Sequence, residues 1–256
     1  MEFNPEQVAE EFSASADQGI YYPPAWFDRL DMDQALRVQH ALLARKVAAG
    51  EQHVGWKVGL TAKAIQEQFN IHEPVCGYLL RSGLITSGSE LPWADLIGPG
   101  VENEICFRMG TDLAGPNATA AMAKAAVQEL YPAMELVENR GDLTAQFEVA
   151  LADNVQQSGF VLGQPVAMHN ELDIAAIDAT VLINEQQVGE GNATAVLGNP
   201  FNSLAWLANK LAELELSVLA GQWVMAGSLT RQFPLNRGDR IHTKFSDLGD
   251  VRFGLV

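Results

Sequence analysis

Residues 101–109 read Val-Glu-Asn-Glu-Ile-Cys-Phe-Arg-Met, and how they fold decides much of the rest. Apolar and polar residues mix here with the β-branched and aromatic types that favour strands, so a strand is expected. Side chains on a strand alternate faces with a period of two. Val101, Ile105 and Phe107 then point into apolar packing, and Glu102 and Glu104 point the other way. Two like charges side by side repel, and next to a core that repulsion is costly. On a surface strand water offsets it. A metal ion offsets it better if a third ligand is near.

A third carboxylate is available. Residues 133–138, Ala-Met-Glu-Leu-Val-Glu, are expected to form another strand with Glu135 between apolar neighbours. Three carboxylates are hard oxygen donors, which suit Mg²⁺ or Mn²⁺ better than zinc. By spacing alone, both a metal site and a solvated sheet face remain open.

Outward from this pair, the chain begins with helical patterns over residues 5–14 and 32–48. Met32, Leu36, Leu43 and Val47 recur at helical spacing, and Gly50 is a stop. Strands are expected at 54–60 and 77–80, with a short helix over 61–69. Asn117 is placed to cap a helix over 118–130. Further strands are expected at 158–163, at 178–184 returning through Val188, and at 222–227, 239–245 and 250–256. Ile241, Thr243 and Phe245 share one face, as do Val251, Phe253 and Leu255. A helix spans 200–213. The expected class is α+β, with a small helical α+β region over residues 1–80 and a strand-rich metal-binding core over 81–256.

Composition narrows the function. The formal net charge of −16 repels nucleic acid and anionic lipid. An acidic substrate would need local positive charge from a metal or a lysine. Cys76 and Cys106 form no CxxC or zinc-like cluster, so a reducing cytoplasm is expected. The acidic start lacks the apolar core of a signal peptide, and no stretch nears the ~18 apolar residues of a membrane span.

The chain resembles the 2-oxopent-4-enoate hydratase and 4-oxalocrotonate decarboxylase group of the fumarylacetoacetate hydrolase superfamily. The resemblance rests on Gly55-Trp-Lys-Val-Gly-Leu-Thr61, Glu102-Asn-Glu104-Ile, and Pro132-Ala-Met-Glu-Leu-Val137 with Arg140. It continues through Ala152-Asp-Asn154, Leu197-Gly-Asn-Pro200, Ala226-Gly-Ser228, Gly238-Asp239 and Leu248-Gly249. It implies a mixed β-sandwich roll with a small N-terminal α+β region, and a divalent metal on Glu102, Glu104 and Glu135. It implies Lys57 as the site lysine, binding a substrate carboxylate or donating a proton. Leu60, Val75, Arg140, Asp153 and Gln156 would surround the substrate, with an Arg140–Glu138 ion pair and a turn role for Asp153 as the plainer alternatives. A homo-oligomer is implied, one that can associate with a related hydratase or decarboxylase.

Two residues depart from the hydratase pattern. Val75 stands where hydratases commonly carry Asp, and decarboxylases often have an apolar residue there. Gln156 stands where a small serine is usual. Leu197-Gly-Asn-Pro-Phe-Asn-Ser-Leu-Ala-Trp206, by contrast, looks like the hydratases. The leading expectation is a hydratase of a 2-hydroxy-2,4-dienoate in aromatic catabolism. The alternatives are a decarboxylase of a 4-oxalocrotonate-like acid, a C–C bond hydrolase, and a non-catalytic partner subunit.

Overall fold

The computed structural model describes residues 3–68 and 71–256. Helices α1 (Pro5–Ala16) and α2 (Met32–Ala48) open the chain. Asp31 and Gln34 form a reciprocal capping box on α2, while Arg45 and Lys46 face the negative end of its dipole. Strands β1 (His53–Gly59) and β2 (Val75–Leu80) flank the short helix α3 (Lys63–Gln68). The last position of the helix expected over 61–69, Phe69, lies outside the described residues. Short strands β3 (Leu84–Thr86) and β4 (Glu90–Leu91) lead to the long pair β5 (Pro99–Met109) and β6 (Val127–Glu138), with α4 (Ala120–Ala126) between them. Then come α5 (Phe147–Ala152), β7 (Gln157–Leu162), β8 (Val166–Ala167) and the hairpin β9 (Asp178–Ile183) to β10 (Gln186–Asn192). Helix α6 (Pro200–Ala212), β11 (Trp223–Ser228), β12 (Phe233–Pro234), β13 (Arg240–Phe245) and β14 (Gly249–Leu255) complete the chain.

The strands form two sheets. The larger runs β2-β1-β11-β5-β6-β7-β3, with β12 added on β5 and β8 on β6. The smaller runs β10-β9-β13-β14-β4. Thus β1 and β2, which close the first 80 residues, are hydrogen-bonded into the larger sheet through β11. The sheets share one core. Ile241, Val251 and Phe253 pack with Ile105, Phe107, Leu130 and Met134. Burying each of these large side chains contributes about 1.5–3 kcal/mol. The N-terminal helices form a second core, in which Phe12, Val38 and Leu42 meet Val75, Phe147 and Val155.

One expected element changes type. The helix expected over 118–130 ends at Ala126, and residues 127–132 extend β6 to 12 residues. The reason is tertiary. β5 offers 11 residues to pair, and Leu130 and Pro132 align with Phe107 and Ile105. Pro132 also cannot continue a helix. It falls between the β6 segments paired to β8 and to β7, where its missing N–H breaks no ladder.

The His40 ring on α2 lies 5.5 Å from Trp56, tilted by 39°, and His53 meets the same indole edge-on at 4.5 Å. Among the described residues, the buried His40 Nε2 has no hydrogen-bond partner. Burial, followed by repulsion from His53, pushes the His40 pKa down to about 4. An unfolded histidine takes its proton near 6.5, so His40 contributes stability that is full above that pH. That stability drains away as the pH falls from about 6.5 to 4. Urea melts of wild type and His40→Leu across this range should show the variant losing less stability on acidification. Parallel profiles would refute this.

Candidate active site

Strand alternation and register bring the acids together. Glu102 and Glu104 leave β5 on the face opposite Val101, Ile105 and Phe107, and Glu135 lies directly across from Glu102 on β6. One oxygen from each of the three carboxylates lies within 4.8 Å of the others. Glu104 and Glu135 are fully buried and Glu102 is partly buried. Glu104 Oε1 and both oxygens of Glu135 accept no hydrogen bond among the described residues. Glu104 Oε2 accepts one from the backbone N–H of Gly227, at 2.7 Å.

Lys57 enters the same face from β1. Its Nζ donates to the Val155 carbonyl at 3.2 Å and lies 3.3 Å from Glu135 Oε1. Gly77, across from Lys57 on β2, makes room for it. A Cβ there would stand 3.1 Å from Lys57 Cε and 2.7 Å from Asn154 Oδ1.

This buried set is unbalanced. Three carboxylates against one ammonium leave a formal charge of −2. The protein alone answers by holding protons. Burial, then repulsion from Glu135, pushes Glu102 up to about 7, with Lys57 opposing. Glu104 is held well above the usual carboxylate range by burial and by Glu135 and Glu102, against the Gly227 N–H and Lys57. A divalent cation would cancel the excess charge and take the unpartnered oxygens, and all-carboxylate donors suit a hard ion. The residues present therefore fit such an ion.

The other expected residues sit as follows. Val75 is buried in the N-terminal core, and its Cγ2 borders the same Gly59 position as Lys57 Nζ. Leu60 is partly buried against that core with a left-handed φ of 54°. Asp153 precedes a turn in which Asn154, Val155 and Gln156 have φ of 62°, 50° and 61°. Each left-handed residue of this kind costs about 1–2 kcal/mol, most acutely for β-branched valine. Arg140 is ion-paired with Asp153 at 2.7 Å and with Glu138 at 3.3 Å. Gln156 is buried.

Gly227 and the Val155 carbonyl were not singled out by sequence. Gly227 left a signal, since a glycine inside an expected strand marks a bulge or a close approach. Its φ is 116°, and a Cβ would meet Thr61 at 2.6 Å.

The fumarylacetoacetate hydrolase C-terminal family model matches residues 43–256. The chain belongs to this family. Among its relatives, the 2-oxo-hept-4-ene-1,7-dioate hydratase of Escherichia coli is 34% identical over 233 residues, covering 88% of this chain and 87% of that one. A 4-oxalocrotonate decarboxylase of a Pseudomonas species is 31% identical over 228 residues, covering 88% of each chain. This fumarylacetoacetate hydrolase family member also superposes on the 4-oxalocrotonate decarboxylase of Pseudomonas putida G7. That match has a TM-score of 0.91 at 28% identity and covers 98% of this chain and 97% of that one. The decarboxylase was solved with magnesium and adipate, and again with calcium and acetate.

Proposed function

We propose that this chain is a divalent-metal-dependent lyase that hydrates a 2-hydroxy-2,4-dienoate. The observation that carries the reading is the buried, under-neutralised set of Glu102, Glu104 and Glu135 beside Lys57. The hydratase and decarboxylase relatives support it. Glu102, Glu104 and Glu135 would hold Mg²⁺ or Mn²⁺. When bound, the ion supplies Lewis acidity toward the carboxylate and 2-oxygen of a 2-oxo acid or its enol.

The chain's own residues do the rest. Lys57 Nζ donates one hydrogen bond to Val155 O and is ion-paired with Glu135, so donor capacity remains for a substrate oxygen or carbon. As an ammonium, Lys57 binds the substrate carboxylate or delivers a proton from Nζ. The buried apolar side chain of Val75 beside Lys57 excludes bulk water and strengthens these charges. The protein works in the cytoplasm as a homo-oligomer, alone or with a related hydratase or decarboxylase. Among the described residues no helix is long and apolar enough to cross a membrane.

Val75 favours a second reading. It places an apolar side chain, not an acid, beside Lys57. A decarboxylase of a 4-oxalocrotonate-like acid would leave the same kind of dienolate without needing an acid there. Two assays separate the readings. The hydratase consumes 2-hydroxypenta-2,4-dienoate and yields 4-hydroxy-2-oxopentanoate. The decarboxylase releases headspace CO₂ from 2-oxo-hex-3-enedioate. Turnover of neither substrate by metal-loaded protein would overturn both.

A further inference from the structure

The segment 154–156 is a left-handed turn built without glycine, and side chains hold it from three sides. Asn154 pins it to β2, accepting from the Tyr78 N–H at 2.8 Å and donating to the Tyr78 carbonyl at 3.0 Å. Lys57 caps its middle carbonyl, that of Val155. Arg140 holds both ends. Its Nη2 donates to the Asp153 carbonyl at 2.9 Å, and its Nη1 reaches the carbonyls of Gln156 and Gln157 at 3.4 and 3.2 Å. Its Nε donates to the Asp153 carboxylate at 2.7 Å.

Every nitrogen of this guanidinium is therefore engaged by protein acceptors. The side chain is 7% exposed, and the Tyr21 ring lies 5.8 Å from its central carbon. A substrate would have to displace these partners to reach it. A planar guanidinium can span several carbonyls at once, which an ammonium cannot.

We propose that Arg140 is a positioning residue that acts through the 154–156 turn on Lys57. By bridging the carbonyls of Asp153, Gln156 and Gln157 it holds the turn where the Val155 carbonyl receives the Lys57 ammonium. Asp153 in turn fixes the plane of the guanidinium. Without this bridge the turn relaxes toward ordinary φ, the Val155 carbonyl swings away, and Lys57 loses one of its two anchors. The inference rests on the lyase reading for the role of Lys57, but the geometry of the turn stands apart from it.

The test compares Arg140→Lys and Asp153→Asn with wild type. Arg140→Lys keeps the charge and loses the bridge. It should fold and bind Mn²⁺ as wild type does, with kcat lowered about 100-fold by the misplaced lysine and KM within about threefold. Asp153→Asn keeps an acceptor for Nε and should show the same pattern at about a tenth of that loss; it serves alone if Arg140→Lys does not fold. A second readout needs no substrate. The ¹H–¹⁵N signal of the Lys57 ammonium, assigned by its absence in Lys57→Met, should shift in both variants. An unchanged signal would overturn the proposal. So would a raised KM at unchanged kcat, which marks direct substrate contact, or Mn²⁺ affinity falling with kcat, which marks a general structural loss. If wild type turns over no dienoate or 2-oxo dicarboxylate, the lyase reading fails, and the NMR arm still decides the positioning claim.

Discussion

Glu104→Gln is expected to lose retention of Mg²⁺ and Mn²⁺ and to lower turnover on the order of 10³-fold, while the metal-free protein becomes more stable. The three effects share one cause. The substituted amide can still accept the Gly227 N–H through its oxygen, so the local backbone keeps its partner. What disappears is a buried acid that must either take up a proton on folding or add a negative charge beside Glu102 and Glu135. An ion bound there loses a ligand, and the metal-free site loses a repulsion. A gain of about 1 kcal/mol would appear as a rise of about 2–4 °C in Tm for a domain of this size.

The pH dependence follows from the same charges. In the metal-free fold Glu102 is pushed up to about 7 and Glu104 is held well above the usual carboxylate range, while unfolded glutamates release their protons near 4.5. Between those values the folded state binds more protons than the unfolded state. The stability of the metal-free protein therefore falls as the pH rises from about 4.5 through 7. Glu104→Gln should flatten that slope. Metal affinity runs the opposite way. Protons compete for the carboxylates, so binding of Mn²⁺ should weaken as the pH drops below about 7. Calorimetric melts with and without Mn²⁺ check both signs. A Glu104→Gln protein whose melting rises with Mn²⁺ as much as wild type's would refute the ligand assignment.

Lys57→Met is expected to separate chemistry from metal binding. Methionine matches the length of the lysine stem and packs in the same slot beside Gly77. Turnover should fall about 10²–10⁴-fold, the usual range for losing a positioned proton donor. Mn²⁺ should bind at least as tightly as in wild type, because the cation that competes with it is gone. The metal-free variant should melt below wild type, since breaking a buried pair leaves Glu135 unopposed. Adding Mn²⁺ should restore most of that loss. Titration calorimetry and steady-state kinetics on one preparation test the pattern. Turnover within threefold of wild type would remove Lys57 from the reaction.

The two variants thus move metal-free stability in opposite directions. General damage to the sheet would move them together.

Much of this site was legible in the sequence because strands have a strict period. Residues 101–109 put Glu102 and Glu104 on one face whatever they pair with, and Glu135 stood out as an acid among apolar neighbours. The apolar pattern of the terminal strands likewise set Ile241, Thr243 and Phe245 inward, and all three are buried. Helix α2 was readable for a similar reason, through its apolar spacing, and its observed bounds are Met32–Ala48. The start of β6 was not readable. The local pattern of 127–130 allows a helix, and only the pairing of β6 with β5 selects the strand.

The sequence by itself therefore determined which face the candidate carboxylates Glu102 and Glu104 occupy, because alternation is a local property of the backbone. The meeting of Lys57 with Glu135 was decided only by tertiary structure. Lys57 on β1 and Glu135 on β6 are separated in the sheet by β11 and β5, three strand spacings, or about 14 Å if the sheet were flat. The 3.3 Å contact is between the tips of two long side chains that reach toward each other across β11 and β5, and the irregular register between Met225 and Ser228, with Gly227 at φ 116°, lies on the path between them. Strand order is set by pairing between segments far apart in sequence, so no single segment encodes that meeting. The opening strand supplied the carboxylates, and the strand order of the whole sheet supplied the charge that faces them.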